Sequence, residues 1–111
     1  MASGLLYIKE AKGYRRVFKE GKKVFSPHFV LYNAAGAVGG SRLGISVAKA
    51  SIPLATRRNR TKRRIKEFWR LKKERPSSAR DFVIVVKRGT DKLTNEAFYK
   101  ELTNIFDKNL P

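Results

Sequence analysis

One stretch in the middle of the chain combines a high positive charge with the spacing of a helix. Over Arg57–Arg75 there are eleven basic residues and two acidic ones. Apolar residues still recur at helical spacing: with Ile65 at the centre of a face, Phe68 and Trp69 lie within about 60° of it. The stretch therefore predicts a long helix, from Leu54 to about Glu74, that packs one stripe on a core and exposes cations elsewhere.

The charge of that stretch is concentrated rather than spread over the whole chain. The sequence carries 26 Lys and Arg against 9 Asp and Glu, a net charge of +17. A solvated helix usually mixes the signs of its charges at i, i+4 spacing, and here acids are scarce. Cations aligned on one rod repel each other unless phosphates neutralise them. The pattern favours a nucleic acid as partner over a membrane surface or a merely solvated face.

Length and composition limit the other possibilities. At 111 residues we expect one domain, residues 1–111, with residues 1–7 and 108–111 as flexible ends. A hydrophobic content of 41% is enough to build a core. The lack of cysteine excludes disulfides, thiolate zinc sites and a cysteine nucleophile. Because no apolar run is long enough for a membrane helix or a secretory signal, we expect a soluble cytoplasmic protein.

The rest of the sequence alternates helical and extended patterns. The predicted elements are a helix over Ile8–Gly21, a strand over His28–Tyr32, a hairpin loop over Asn33–Ser41, an antiparallel strand over Arg42–Val47, the basic helix, a buried strand over Phe82–Val86 and a last helix capped by Thr94. The order α-β-β-α-β-α predicts an α+β sandwich, with helices packed on a small sheet.

Aromatic residues recur beside the basic segments, and each of them could be a core residue. A domain this small rarely needs so many rings for packing alone. Single-stranded nucleic acid is held by rings on which bases stack, beside a basic groove. We expect Tyr14, Phe18 and Tyr32 to line such a groove, and Phe68 to lie in the core.

The sequence offers no catalytic constellation. Its only histidine is His28, which we expect to be a surface or half-buried residue. Asp81 and Glu67 are isolated carboxylates in basic surroundings, where salt bridges are a better interpretation than general-base catalysis. Neither a metal-ligand spacing nor a phosphate-binding loop is present. We therefore predict no catalytic residues, and a nuclease that acts alone is disfavoured.

The basic stretch contains Arg58-Asn59-Arg60-Thr61-Lys62-Arg63, which resembles the RNR-x-K-R motif of the protein subunit of bacterial ribonuclease P. No single segment is specific, but several resemble this family in the same order along nearly the whole chain. The further segments are Tyr14–Gly21, Phe29–Tyr32, Leu43–Lys49 and Asp81–Lys87. The chain is thus similar to ribonuclease P proteins.

The resemblance implies a fold of the order αβββαβα with an unusual left-handed βαβ crossover, where the general rule is right-handed. The extra strand would come from Lys22–Ser26 or from a division of Phe29–Val47.

The resemblance also implies a function. The catalytic RNA of ribonuclease P cuts the 5′ leader from precursor tRNA, and the protein contacts the leader and helps the assembly to hold Mg²⁺. The implied partners are this RNA and precursor tRNA, with no membrane and no small-molecule substrate. The implied RNA-binding residues are Arg58, Asn59, Arg60, Lys62, Arg63, Lys66 and Arg70, and the implied leader cleft contains Tyr14, Phe18, Tyr32 and Lys49.

The chain departs from the family pattern at several positions. The family usually has Phe at the position of Tyr14, a second Lys at that of Ala50 and often Arg at that of Lys66, while Pro53 interrupts the link before the motif. A ring survives at Tyr14, whereas Lys66 lacks a bidentate fork. The alternative function is a ribosomal or general structural RNA-binding protein with no role in cleavage.

Overall fold

The computed structural model describes residues 6–36, 41–71 and 79–107. The order αβββαβα is present, preceded by one short additional strand. The elements are β1 (Leu6–Tyr7), α1 (Ala11–Glu20), β2 (Lys22–Phe25), β3 (Phe29–Ala35), β4 (Arg42–Val47), α2 (Ala55–Leu71), β5 (Arg80–Val86), a 3₁₀ turn (Thr90–Lys92) and α3 (Asn95–Asp107). The additional strand of the family pattern is β2, the first of the two alternatives.

The strands form one sheet in the order β1-β4-β5-β3-β2. The predicted hairpin of β3 and β4 is wrong, because β5 lies between them, antiparallel to β3 and parallel to β4. β5 is the most apolar strand, and the central position gives it a hydrogen-bonded neighbour on both edges. Asn33–Ala35, predicted as loop, extends β3 along β5. Residues 37–40 of the predicted loop lie outside the described residues.

Residues 6–7, predicted to belong to a flexible end, pair with β4 as a parallel edge strand. The backbone N–H of Ile8 continues this pairing by donating to the carbonyl of Leu43, at 2.9 Å. α1 therefore begins at Ala11 instead of Ile8, although the Ile8 side chain is buried as its apolar spacing predicts. The rest of the predicted flexible ends, residues 1–5 and 108–111, lies outside the described residues.

α2 and α3 close one face of the sheet. Trp69 of α2 packs edge-on against Phe82 of β5 with the ring centroids 5.9 Å apart, and Phe106 of α3 lies 5.3 Å from the same ring. Phe68 is buried in this core, as predicted, beside Ile65. The predicted cap of α3 is confirmed, because the Thr94 hydroxyl accepts a hydrogen bond from the Ala97 N–H at 3.2 Å.

α2 connects the parallel strands β4 and β5, which makes the crossover a βαβ unit. Its left-handed sense stays a prediction. α2 begins at Ala55 and is described to Leu71, and the predicted helix end near Glu74 lies outside the described residues. None of the helices formed by the described residues is long and apolar enough to cross a bilayer.

Candidate nucleic-acid interface

α1 covers only part of the second face of the sheet. Beneath it, Ile8, Val17, Ala34 and Val83 form a small core of their own. On one flank of α1, the aromatic side chains stay partly open to solvent, with Phe18 38% exposed. A half-open face of this kind leaves a cleft between α1 and the sheet.

The three rings predicted to line a groove lie together in this cleft. The Phe18 ring stands edge-on to Tyr32 of β3 at 4.8 Å between centroids, and Tyr14 lies 6.4 Å from Phe18. We call this group, Tyr14, Phe18 and Tyr32, the aromatic cleft. Because T-shaped packing leaves ring faces uncovered, the group offers flat apolar surfaces to a ligand.

Tyr14 is fixed at the β4 end of the aromatic cleft. Its hydroxyl accepts a hydrogen bond from the Ile45 N–H at 3.1 Å, and a 3.5 Å contact lets it donate to the Ile45 carbonyl. The ring lies against Gly44, where an added Cβ would come within 2.7 Å of Tyr14 Cε1. Gly44 therefore allows the close approach of the ring to β4.

A cavity of about 280 Å³ lies between Tyr14 of the aromatic cleft and the basic helix. Its walls include Tyr7, Tyr14 and Ile45 on one side and Lys62 and Lys66 of α2 on the other. The Lys66 ammonium stands 5.5 Å above the centre of the Tyr7 ring. The structure thus brings rings and cations together at one cavity.

Five of the predicted RNA-binding side chains lie exposed along α2: Asn59, Arg60, Arg63, Lys66 and Arg70. Lys62 is half-buried and, like Lys66, lines the cavity. On the opposite side of the helix, Thr61 and Ile65 are buried against the sheet and α3. The predicted division of this helix into an apolar stripe and a cationic surface is therefore confirmed.

The two ends of the predicted basic set have partners within the protein. Arg58 donates to the carbonyls of Ile52 at 3.0 Å and Pro53 at 2.8 Å, so it holds the turn that leads into α2. Arg70 makes two hydrogen bonds to Glu67, at 3.1 and 2.5 Å, which lower the pKa of that exposed carboxyl. This ion pair confirms the salt-bridged interpretation of Glu67.

Lys49 is exposed in the turn that follows β4, and its place in the leader cleft stays a prediction. Ala50, beside it, accepts a long hydrogen bond of 3.4 Å from Arg88 through its carbonyl.

Sequence reasoning overlooked Arg64, which is buried although it belongs to the basic stretch. Its guanidinium carbon lies 3.9 Å from the centre of the Phe98 ring, and it donates to the Leu93 carbonyl at 3.2 Å. Burial, together with the neighbouring Arg60, lowers the pKa of Arg64. The helical spacing contained the signal, because Arg64 is four residues before Phe68 and shares its face.

Asp81 of the central strand β5 is fully buried under α1 and is paired with two arginines. Arg42 donates to both of its oxygens, at 3.0 and 2.7 Å, and Arg16 donates to Oδ2. Burial alone would raise the pKa of Asp81, and the hydrogen bonds from Arg42 and Arg16 outweigh it, so this pKa is lowered. The salt-bridged interpretation of Asp81 is confirmed.

His28 is half-buried and forms a polar clamp with α3. Glu101 accepts hydrogen bonds from the His28 N–H at 2.7 Å and the Ser26 hydroxyl at 2.5 Å, and lies 2.8 Å from His28 Nδ1. Burial opposes ionisation of Glu101, but these bonds prevail and lower its pKa.

Both Asp81 and Glu101 thus have oxygens committed to protein donors, and no group of three or more potential metal ligands occurs within residues 6–36, 41–71 and 79–107.

Comparison with known proteins connects this geometry to one family. The family model described as Ribonuclease P matches residues 6–109. The ribonuclease P protein component of Syntrophobacter fumaroxidans is 40% identical over 100 residues, which cover 89% of this chain and 83% of that protein. The corresponding protein of Aliivibrio fischeri is 35% identical over 103 residues, covering 93% and 87% of the two chains.

Solved structures show the same likeness. The RNase P protein of Staphylococcus aureus superposes with a TM-score of 0.84 at 27% identity, covering 93% of this chain and 94% of that one. The RNase P protein of Thermotoga maritima superposes with a TM-score of 0.81 at 25% identity, covering 92% and 96%.

Proposed function

This chain belongs to the ribonuclease P protein family, and from that membership we propose that it supports removal of the 5′ leader of precursor tRNA by binding both the catalytic RNA and the leader. The catalytic activity of ribonuclease P resides in its RNA, and the protein is a subunit of the holoenzyme. The role of this chain is therefore binding and positioning, in the cytoplasm, rather than bond cleavage.

The aromatic cleft is the proposed site for the leader. The observation that carries this proposal is the cavity between Tyr14 and the ammonium groups of Lys62 and Lys66, because it puts stacking surfaces beside phosphate-binding groups. A single strand needs both, since bases stack on rings while the backbone follows cations. Tyr14, with its hydroxyl tied to Ile45, offers a fixed ring, and Phe18 offers an exposed one.

The exposed side of α2 is the proposed contact with the structured RNA. Arg60 and Arg63 are exposed, and their planar guanidiniums suit phosphate oxygens. Structured RNA is recognised mainly by shape and by its backbone, which a rigid row of cations can follow. Asn59 lies exposed beside these cations and can donate to the same backbone, while Arg58 supports the row by holding the turn before it.

Mg²⁺ is proposed to be held by the assembled RNA and protein. Asp81 and Glu101 do not fit a protein-only site, because the oxygens of Asp81 are committed to Arg42 and Arg16 and those of Glu101 to Ser26 and His28. The protein assists by lowering the repulsion between phosphates that Mg²⁺ must otherwise screen.

The decisive experiment measures cleavage of precursor tRNA at low Mg²⁺ with the catalytic RNA alone, this protein alone, and both together. We expect efficient cleavage only by the pair. If the protein adds nothing to the RNA, a general structural role in RNA binding replaces the proposal. Cleavage by the protein alone, after nuclease treatment to remove RNA, would mean that the chain has an active site of its own.

The alternative of a ribosomal or general RNA-binding protein uses the same basic surface. It is separated from the proposal by the leader, because a general binder has the same affinity for precursor and mature tRNA. We expect the complex of this chain with the catalytic RNA to bind the precursor more tightly, and equal affinities would favour the alternative.

A further inference from the structure

The cleft face of the sheet continues beyond the aromatic cleft onto the edge strand β2. Lys23 of β2 pairs with Tyr32, and Phe25 pairs with Val30. Residues directly opposite each other in an antiparallel pair share a face, so Lys23 and Phe25 lie on the same face as Tyr32. Val24, between them, packs into the closed core on the other side. The face with Phe25 is thus the one on which the leader is proposed to bind.

Phe25 is unusually open for a phenylalanine. It is 62% exposed, against 38% for Phe18 in the aromatic cleft, while the core phenylalanines Phe29 and Phe98 have no exposed surface. Leaving so much apolar surface in water is unfavourable, at about 25 cal/mol per Å². Packing within the described part of the chain covers little of this ring, so most of its surface is available to a ligand.

One ammonium group lies beside the Phe25 ring and another lies beside Tyr32 on the same face. The Lys87 ammonium lies 5.7 Å from the centre of the Phe25 ring and is held there by donating to the Ser26 carbonyl at 2.9 Å. The Lys23 ammonium lies 5.8 Å from the centre of the Tyr32 ring. Neighbouring rings with an ammonium group beside each suit successive bases joined by phosphates, and they do not suit an apolar protein partner or a second copy of this basic chain.

The spacing is also compatible with a continuous track. Phe25 and Tyr32 are diagonal neighbours across two strands, an arrangement with Cα atoms roughly 7–8 Å apart. One path over the sheet therefore passes Tyr14, then Phe18 with Tyr32, and finally Phe25 at the sheet edge.

We propose that Phe25, with Lys23 and Lys87, forms a further base-stacking site for single-stranded RNA, beyond the aromatic cleft and at the β2 edge. This inference rests on the proposed function, because it extends the path of the leader by one more base. The leader must be long enough to cross the aromatic cleft before it reaches Phe25.

The test measures the affinity of the reconstituted RNA–protein complex for precursor tRNAs whose leaders are lengthened one nucleotide at a time. For Phe25→Ala we expect binding weakened by roughly fivefold or more, and only above a threshold leader length. For Phe18→Ala, the loss of affinity should begin at a shorter leader length than for Phe25→Ala. Phe25→Trp should restore affinity, since a larger ring still stacks.

The matched control is Leu71→Ala, because Leu71 of α2 is a similarly exposed apolar side chain, at 57%. This variant should bind precursors with every leader length as tightly as the wild type does. Thermal unfolding of each variant should be unchanged, since Phe25 lies outside the core. A further series of leaders carries one abasic nucleotide at successive positions. At the position that stacks on Phe25, the missing base should weaken binding to the wild type but not to Phe25→Ala.

Three outcomes would overturn the inference. Equal affinity of Phe25→Ala and wild type at every leader length, while Phe18→Ala still shows a threshold, would refute the Phe25 site and leave the proposed function standing. If Phe25→Ala also binds tRNA without a leader more weakly than the wild type does, Phe25 contacts a part of the RNA other than the leader. Conversion of a dimer to a monomer by Phe25→Ala, in sedimentation, would make it a self-association surface. If neither variant responds to the leader, the proposed function itself fails.

Discussion

Phenylalanine side chains are buried on one face of the sheet and exposed on the other. On the face covered by α2 and α3, Phe82 and Phe106 are 1% exposed and pack ring against ring with Trp69. On the face crossed by α1, Phe18 and Phe25 stay exposed, and the Lys87 ammonium lies beside Phe25. Two helices are enough to cover one face, whereas a single ten-residue helix leaves part of the other open.

This difference in burial gives the rings of the two faces different roles, stability on the closed face and binding on the open one. Rings on the closed face lose their contact with water on folding, so they stabilise the fold. Rings on the open face have gained little from folding, and their apolar surface is still available to a base. Substitutions on the closed face should therefore lower stability, and substitutions on the open face should weaken binding.

The largest effect is expected from Phe106→Ala on the closed face. This ring lies within 5.3–6.0 Å of the rings of Phe68, Trp69 and Phe82, so its removal leaves a cavity in the main core. We expect a loss of about 3–5 kcal/mol in the free energy of unfolding, measured by urea denaturation. A loss below 1 kcal/mol would show that this face is not the main source of stability.

Asp81→Asn should have the next largest effect, because it leaves Arg16 and Arg42 without their shared carboxylate under α1. Both arginines are about one-third exposed, so water compensates in part and the loss should be smaller than the about 3–5 kcal/mol of a fully buried pair. Urea denaturation at pH 7 measures it. No loss of stability would contradict the assigned role of this carboxylate.

The same carboxylate predicts a pH dependence. Because the pKa of Asp81 is lowered in the folded state, its contribution is present above the unfolded value of about 3.9 and is lost as pH falls through the folded value. Wild-type stability should therefore fall more steeply in acid than that of Asp81→Asn. Parallel curves for the two proteins would contradict the linkage.

On the open face, Phe18→Ala should weaken binding of a precursor with a leader by roughly 1–3 kcal/mol and leave the unfolding free energy nearly unchanged. The reason is that its ring contacts Tyr32 edge-on and is already 38% exposed. Binding to mature tRNA serves as the control and should not change. If the variant melts instead, Phe18 belongs with the closed-face rings, and the comparison of the two faces fails.

The smallest effect distinguishes two adjacent arginines of α2. Arg63 is exposed, whereas Arg64 is buried over Phe98. Arg63→Ala should lower the slope of log K against log salt by about one unit, while Arg64→Ala should leave the slope unchanged. Affinities measured over a series of salt concentrations test this. Equal slopes for Arg63→Ala and wild type would place Arg63 outside the RNA interface.

Much of the fold could be predicted from the sequence because helix and strand patterns are local. Ile65, Phe68 and Trp69 are spaced for one face of a helix, and that face is buried. The neighbour of each strand could not be predicted in this way. The glycines at residues 36, 39 and 40 suggested a hairpin, yet β5 separates β3 from β4, since strand order depends on contacts between distant segments.

The candidate site shows the same division. Ring and cation types beside each other in the sequence indicated an RNA-binding surface, and the ring contacts group Tyr14, Phe18 and Tyr32 as predicted. Which cations remain available could not be predicted, because Arg58 is occupied by backbone carbonyls, Arg70 by Glu67 and Arg64 by the core. Phe25 escaped notice because nothing in its own segment shows that α1 stops short of it.

The sequence by itself determined the chemistry of this protein: a concentrated row of cations, rings beside them, and helices and strands in a recognisable order. Periodicity and charge are properties of neighbours along the chain, so they can be read without a structure. Only the tertiary structure decided which of these side chains face solvent. Long-range packing puts β5 at the centre of the sheet, closes one face with two helices and leaves the other only partly covered by α1. This arrangement brings the rings together in a cleft.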